Sequence, residues 1–228
     1  MQWTSRAAAH GTHVLTVTGD VGALSLRQLR HPLTRLVGQG YRSVVVDLSG
    51  VARFSWSGIK VIAGLRLPVT GRGGTFNLAG GSSVRRAVTH FRVEHALGLF
   101  ATPGKAVLGC APEPFLRPGQ SVCDWCGAVT PTSERINEIV RDSSSEHAGD
   151  PLLEGTRMVV GCGHGHVAAL IEHYGARPYN EVEVWASRID WILEDKGESF
   201  NGPALADEAG LDLDQLRRAM AWRTGQDA

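Results

Sequence analysis

The chain has 228 residues, 43% hydrophobic and 20% charged, which is room for one or two domains of ordinary globular composition. No run of about 18 apolar residues predicts a membrane span. The formal charge of zero hides an asymmetry: residues 1–105 carry 13 Lys and Arg against three acidic residues, and residues 106–228 carry 10 against 20. Such halves favour contact with each other or an acidic partner for the first, and the acidic second half speaks against broad nucleic-acid binding there. The N-terminus, MQWTSRAAAHGTH, lacks the apolar core of a signal peptide. Four cysteines, two in a C-x-x-C, fit a reducing cytoplasm.

In chain order, His13 to Val21 alternates and is β-branched, a first strand closed by Gly19-Asp20. Leu26, Leu29, Leu33 and Leu36 have helical spacing within 24–36, and Gly38-Gln39-Gly40 ends that helix. Val44-Val45-Val46, then Asp47-Leu48-Ser49-Gly50, read as a buried central strand. An exposed loop follows from Val51 to Ser57. Gly58 opens a helix with apolar residues at Ile59, Ile62, Ala63, Leu65 and Leu67. The unpaired N–H groups of its first turn suit the loop to an anion or a docked partner. Thr75 to Ala79 is another strand, and Val84 to Phe91 a helix with Ser82 or Ser83 as cap. Leu97 to Phe100 and Ala106 to Leu108 complete an α/β unit. No acidic pair, and no nucleophile with an obvious base, marks this half as catalytic.

The stretch from Val44 to Val51, followed by Phe54-Ser55-Trp56-Ser57-Gly58-Ile59, resembles the STAS domain of anti-sigma-factor antagonists. In that family a strand of the type VVVDLSGV precedes F-x-D-S-x-G-L and a helix. The resemblance covers roughly residues 10–107. It implies a mixed sheet with helices, no catalysis, and docking of an anti-sigma factor or switch-type kinase through Phe54, Ser55, Trp56, Ser57 and Gly58. In phospho-regulated members the serine after the aspartate takes a phosphate. Here Ser55 stands at the aspartate position and Trp56 at the acceptor position. Indole cannot be phosphorylated, so the usual switch is not expected, although Ser55 and Ser57 are neighbours.

Pro112, Pro114 and Pro118-Gly119 break the pattern and predict a linker at 109–119, between a domain at 1–108 and another at 120–228. Cys123-Asp124-Trp125-Cys126-Gly127 then places two thiols on a tight turn, a spacing that lets both reach one tetrahedral ion. Thr156 to Gly161 reads as a strand running into Cys162-Gly163-His164-Gly165-His166 and a helix at Val167 to Tyr174. Cys162 and His166, four apart, can face the knuckle from the first helical turn. The arrangement resembles a treble-clef zinc finger, with Cys123, Cys126, Cys162 and His166 as ligands of a structural zinc. His164 is the rival fourth ligand; His166 is preferred because the helix begins there. Four protein ligands leave no open position for water. Cys110 stands outside the pattern. Between the ligand pairs, Arg141 to Asp150 is serine-rich and predicts a mobile surface loop.

Val182, Trp185, Ile189, Ile192 and Leu193 define an amphipathic helix. After Asn201-Gly202-Pro203, helices at Ala204 to Ala209 and Asp212 to Trp222 flank Gly210, and the segment 203–223 weakly resembles a helix-turn-helix. That reading offers Gln215, Arg217, Arg218 and Arg223 as DNA contacts; Asp212 and Asp214 would repel phosphate, and a helical hairpin closing the zinc module is the alternative. Taken together, the sequence predicts a cytoplasmic, non-catalytic, protein-binding regulator with an STAS-like α/β domain and a zinc-binding, mostly helical C-terminal domain. A DNA-binding regulator or a zinc enzyme are the alternatives. A deaminase would need an acid that Gly163-His164-Gly165 does not supply.

Overall fold

Strand β1 (Gln2–Ala7) runs antiparallel to β2 (Thr12–Thr18) in the computed structural model of the chain. Strands β3 (Ser43–Gly50), β4 (Thr75–Ala79) and β5 (Leu99–Phe100) then add in parallel, giving a five-stranded mixed sheet in the order β1-β2-β3-β4-β5. The structure describes residues 1–19, 21, 27–51, 54, 56–91, 93–111, 116–144, 150, 153–197 and 200–224. The prolines of 112–114 and part of the loop at 51–58 lie outside them.

The period-2 alternation of β3 explains its unbroken apolar run. Val44, Val46 and Leu48 join Leu15, Val17, Phe76 and Leu78 in one core cluster. Its other wall is α1 (Arg30–Gly38), α2 (Trp56–Thr70) and α3 (Ser82–His90), through Leu33, Ile62, Leu65 and Val88. The intervening residues point to the opposite face, where Val14, Val45 and Ala79 pack on Ala106 and Val107. Those two belong to α5 (Pro103–Leu108), which follows the single turn α4 (Glu94–Leu97). A strand covered on both faces has no side to leave polar. Polar residues also fall on the second face, and Thr12, Thr16, Asp47, Ser49 and Asn77 are all buried there.

The chain falls into two compact units, Met1–Val140 with Met158–Arg177 and Arg141–Arg157 with Pro178–Ala228. The first also holds β6 (Gln120–Val122) paired antiparallel with β7 (Val129–Pro131), and α6 (His164–Gly175). Strands β8 (Ile136–Arg141) and β9 (Thr156–Gly161) form a two-stranded ribbon. The second unit is built on α7 (Glu181–Lys196), α8 (Gly202–Ala209) and α9 (Leu213–Thr224), packed through Ile189, Ile192, Leu205 and Leu216.

Two sequence expectations are corrected. β1 was not anticipated, because an edge strand exposed at Gln2, Trp3, Thr4, Ser5 and Ala7 has no buried face to impose a pattern. The serine-rich stretch 141–150 is not all surface loop: Asp142, Ser143 and Ser144 are buried. Ser143 Oγ donates to Glu183 Oε2 at 2.7 Å, Asp142 accepts from Ser144 N and Oγ at 2.9 and 2.6 Å, and Arg157 Nε donates to Asp142 Oδ2 at 2.5 Å. The hydroxyls are polar in composition but satisfied inside the unit, so burial costs them little. Residues 145–149 of that stretch lie outside the described ones.

Candidate metal centre

The C-x-x-C turn lies between β6 and β7, and its shape is set by local hydrogen bonds. Cys123 N donates to Ala128 O at 2.9 Å and Gly127 N to Cys123 O at 2.9 Å. Gly127 has φ 77°, the left-handed conformation that closes the knuckle without a Cβ penalty. The second ligand pair comes from the junction of β9 and α6, where Cys162 precedes the helix and His166 lies in its first turn. Val167 N bonds Gly163 O at 3.2 Å, and this turn brings His166 back over Cys162.

These four side chains converge: their ligand atoms all lie within 4.8 Å of one another. Cys123 Sγ is 3.6 Å from His166 Nδ1, Cys162 Sγ is 3.1 Å from the same nitrogen, and Cys126 Sγ is 3.9 Å from Cys162 Sγ. A tetrahedron with metal–sulfur bonds of about 2.3 Å has edges of about 3.8 Å, so the spacing fits one small ion at the centre. His164 is exposed and is not part of the cluster. Cys110 is also apart: its thiol donates to Ala106 O at 3.5 Å and accepts from Asn77 Nδ2 at 3.3 Å, and burial pushes its pKa up to about 11.

Three thiols this close cannot all ionise unaided. The hydrogen bond from Cys126 draws the Cys123 thiol down to about 4, and the same bond pushes Cys126 up. Burial, then the Cys123 charge, raises Cys162. One thiolate forms readily and the next are resisted, because each added negative charge is repelled by the one already there.

The knuckle is bolted to the sheet-bearing part of its unit. Asp124 donates N–H to Val160 O at 2.7 Å, and its carboxylate accepts from Val160 N at 2.9 Å and Thr102 Oγ1 at 2.9 Å. Gly104 N donates to Asp124 O at 2.8 Å. A Cβ on Gly104 would stand 2.0 Å from Cys123 O, so only glycine admits the knuckle against α5. From β1, Arg6 Nη2 donates to Trp125 O at 2.6 Å, and Ala9 N donates to Cys126 O at 3.1 Å. Asp47, at 0% exposure, lies 3.6 Å from His173 Nε2 of α6, and His173 meets Trp125 edge-to-face at 6.0 Å. Sequence reasoning named the four residues that cluster here and missed this supporting layer, whose members show no spacing relation.

The other expected site residues fare differently. Phe54 is 8% exposed, sits in the core cluster and bridges to Val21. Gly58 is buried. Ser55 lies outside the described residues, as do the side chains of Trp56 and Ser57. In the second unit, Arg217 pairs with Asp214 at 2.9 Å, Arg223 with Asp190 at 2.7 Å, and Arg218 lies 5.5 Å over the Trp185 ring. Gln215 and Asp212 exchange N-terminal capping bonds at 2.9 and 2.7 Å.

The family model described as Mlab, STAS domain, matches residues 5–99. The sheet and its helices are thus an STAS-type α/β domain, occupying a little under half of the chain. Solved structures that the chain resembles include an anti-sigma factor antagonist from Mycobacterium paratuberculosis, at 21% identity and TM-score 0.42, covering 48% of this chain and 94% of that one. Another is the Bacillus cell fate determinant SpoIIAA in its phosphorylated form, at 18% identity and TM-score 0.39, covering 46% of this chain and 96% of that one. No curated protein matches the chain by sequence. Among the described residues no helix is long and apolar enough to cross a membrane.

Proposed function

We propose that the chain is a non-catalytic, cytoplasmic regulator of the anti-sigma-factor-antagonist kind. Its STAS domain docks a protein partner, an anti-sigma factor or a related switch-type kinase, and a structural zinc braces the fold. The observation that carries this reading is the outer side of α2. Lys60, Ala63, Gly64 and Leu67 fall at i, i+3, i+4 and i+7 and are exposed, Leu67 to 68%. The neighbouring α1, which packs against α2, exposes Arg30 and Arg35. Neither forms an ion pair among the described residues. The one acidic side chain described in residues 1–105 is the buried Asp47. An apolar stripe flanked by uncompensated cations suits a partner with an acidic rim and an apolar centre. With Phe54 and Gly58 buried, the docking surface runs along the exposed side of α2 rather than through the whole of 54–58. Because Trp56 occupies the acceptor position, the contact is constitutive rather than phosphoserine-switched.

Cys123, Cys126, Cys162 and His166 would hold the zinc. Three thiolates and an imidazole in a tetrahedron select zinc over harder ions, and a full set of protein ligands makes it a structural centre. The division into 1–108 and 120–228 remains a proposal about modular origin. DNA contact by Arg217 and Arg218 is the lesser reading, since one is ion-paired and the other stacked on Trp185.

Crosslinked co-purification with wild type, Leu67→Asp and Trp56→Asp tests this, followed by reconstitution with the purified partner. The expected result is one stoichiometric protein, lost with either variant and bound less tightly as salt rises. Recovery of DNA whose retention depends on Arg217 and Arg218 would overturn it.

A further inference from the structure

A zinc ion with three thiolates and a neutral imidazole carries one net negative charge. The four ligands cannot cancel it, and Cys123 is fully buried. A buried charge needs a partner. The group that faces the centre from the sheet side is Arg6. It is the one residue of β1 that is not exposed. Its guanidinium lies 3.9 Å over the Trp125 ring and donates to the Trp125 carbonyl at 2.6 Å, in the middle of the C-x-x-C turn. Burial lowers its pKa, while the charges of Asp47, Cys126 and Cys123 raise it, so it is a desolvated cation held among anions. Asp47 competes for it from β3 and is itself approached by His173 of α6.

We propose that Arg6 is the charge partner and anchor of the metal centre, so that the edge strand β1 of the STAS sheet belongs to the metal site. The proposal rests on the zinc reading of the four ligands. Its chemistry is direct: the guanidinium offsets the anionic zinc–thiolate cluster and fixes the knuckle through one carbonyl. The metal in turn holds the only inward anchor that β1 has. Outer-shell partners of this kind typically set metal affinity by ten- to a hundredfold.

The experiment measures zinc affinity of the full chain by competition with a chromophoric chelator. Wild type, Arg6→Met, Arg6→Lys and Asp47→Asn are compared, with far-UV circular dichroism as a check of folding. Wild type binds one zinc. Arg6→Met, which keeps the stem over Trp125 and loses the charge, weakens binding about ten- to a hundredfold. Arg6→Lys recovers most of that loss. Asp47→Asn removes the competing anion and tightens binding, a sign that mere damage to the fold cannot produce. If Arg6→Met does not fold, the Asp47→Asn result still decides: unchanged or weaker binding overturns the role of charge. Wild-type affinity in folded Arg6→Met would also overturn it while leaving the zinc reading intact. A wild type that binds no zinc would overturn the zinc reading itself.

Discussion

Single atoms decide most of what this chain can do. Gly104 is required because the carbonyl of Cys123 occupies the place of its Cβ. Gly104→Ala is expected to cost about 1–3 kcal/mol in urea unfolding, as overpacking usually does, and to lower zinc retention in the same preparation. Cys110 has the opposite character to the cluster cysteines. With its pKa near 11, it holds on the order of a hundredfold less thiolate at pH 8 than an ordinary thiol. Alkylation of the native, zinc-loaded chain should therefore leave Cys110 unmodified when mapped by mass spectrometry. His13 is buried with neither ring nitrogen hydrogen-bonded among the described residues, and its ring lies tilted against Tyr41 at 4.6 Å. Burial, then the Arg6 charge, lowers its pKa. The unfolded chain takes up a proton below about pH 6.5 that the folded chain resists. This contribution to stability is complete above that pH and is lost as pH falls. Wild type should lose more stability between pH 7 and pH 5 than His13→Phe does, as read from urea midpoints.

At the scale of elements, the strands and helices with a buried stripe are legible in the sequence. β4 and β9 occupy the spans their composition predicts, and α7 extends from the Asn180 cap to Lys196 around its apolar positions. Asn180 accepts from Val182 N at 3.0 Å. Asn180→Ala should cost about 1 kcal/mol in thermal or urea unfolding of the second unit. Elements without a stripe are not legible. β1 is invisible to periodicity because only Arg6 turns inward, and α5 is six residues long, fixed by the Thr102 cap and by Asp124 beyond it. Within the second unit, a polar stretch becomes a buried network rather than an exposed loop where its hydroxyls find partners, as Ser143 does with Glu183.

Over the whole molecule, the Cys123, Cys126, Cys162 and His166 cluster shares one compact unit with the STAS sheet, whereas α7, α8 and α9 lie in the other. If the cluster holds the proposed zinc, its removal by a chelator should act unequally. Hydrogen exchange is expected to rise ten-fold or more across residues 2–7 and 120–131, while amides of residues 181–224 keep their protection. Equal loosening of both units would show that stability is not partitioned in this way.

What the sequence by itself determined is what lies within a few residues along the chain: the period of β3, the helical spacing of α2, and the C-x-x-C and C-x-x-x-H pairs whose chemistry and reach follow from their own spacing. Only the tertiary structure decided which distant groups meet. Arg6 reaches Trp125 across 119 positions, Asp47 meets His173, and Phe54, predicted at a docking surface, is drawn into the core. The physical reason is that a local pattern records which way a side chain must point, whereas a single buried charge or ring acquires its partner from the packing of whole elements and leaves no periodic trace.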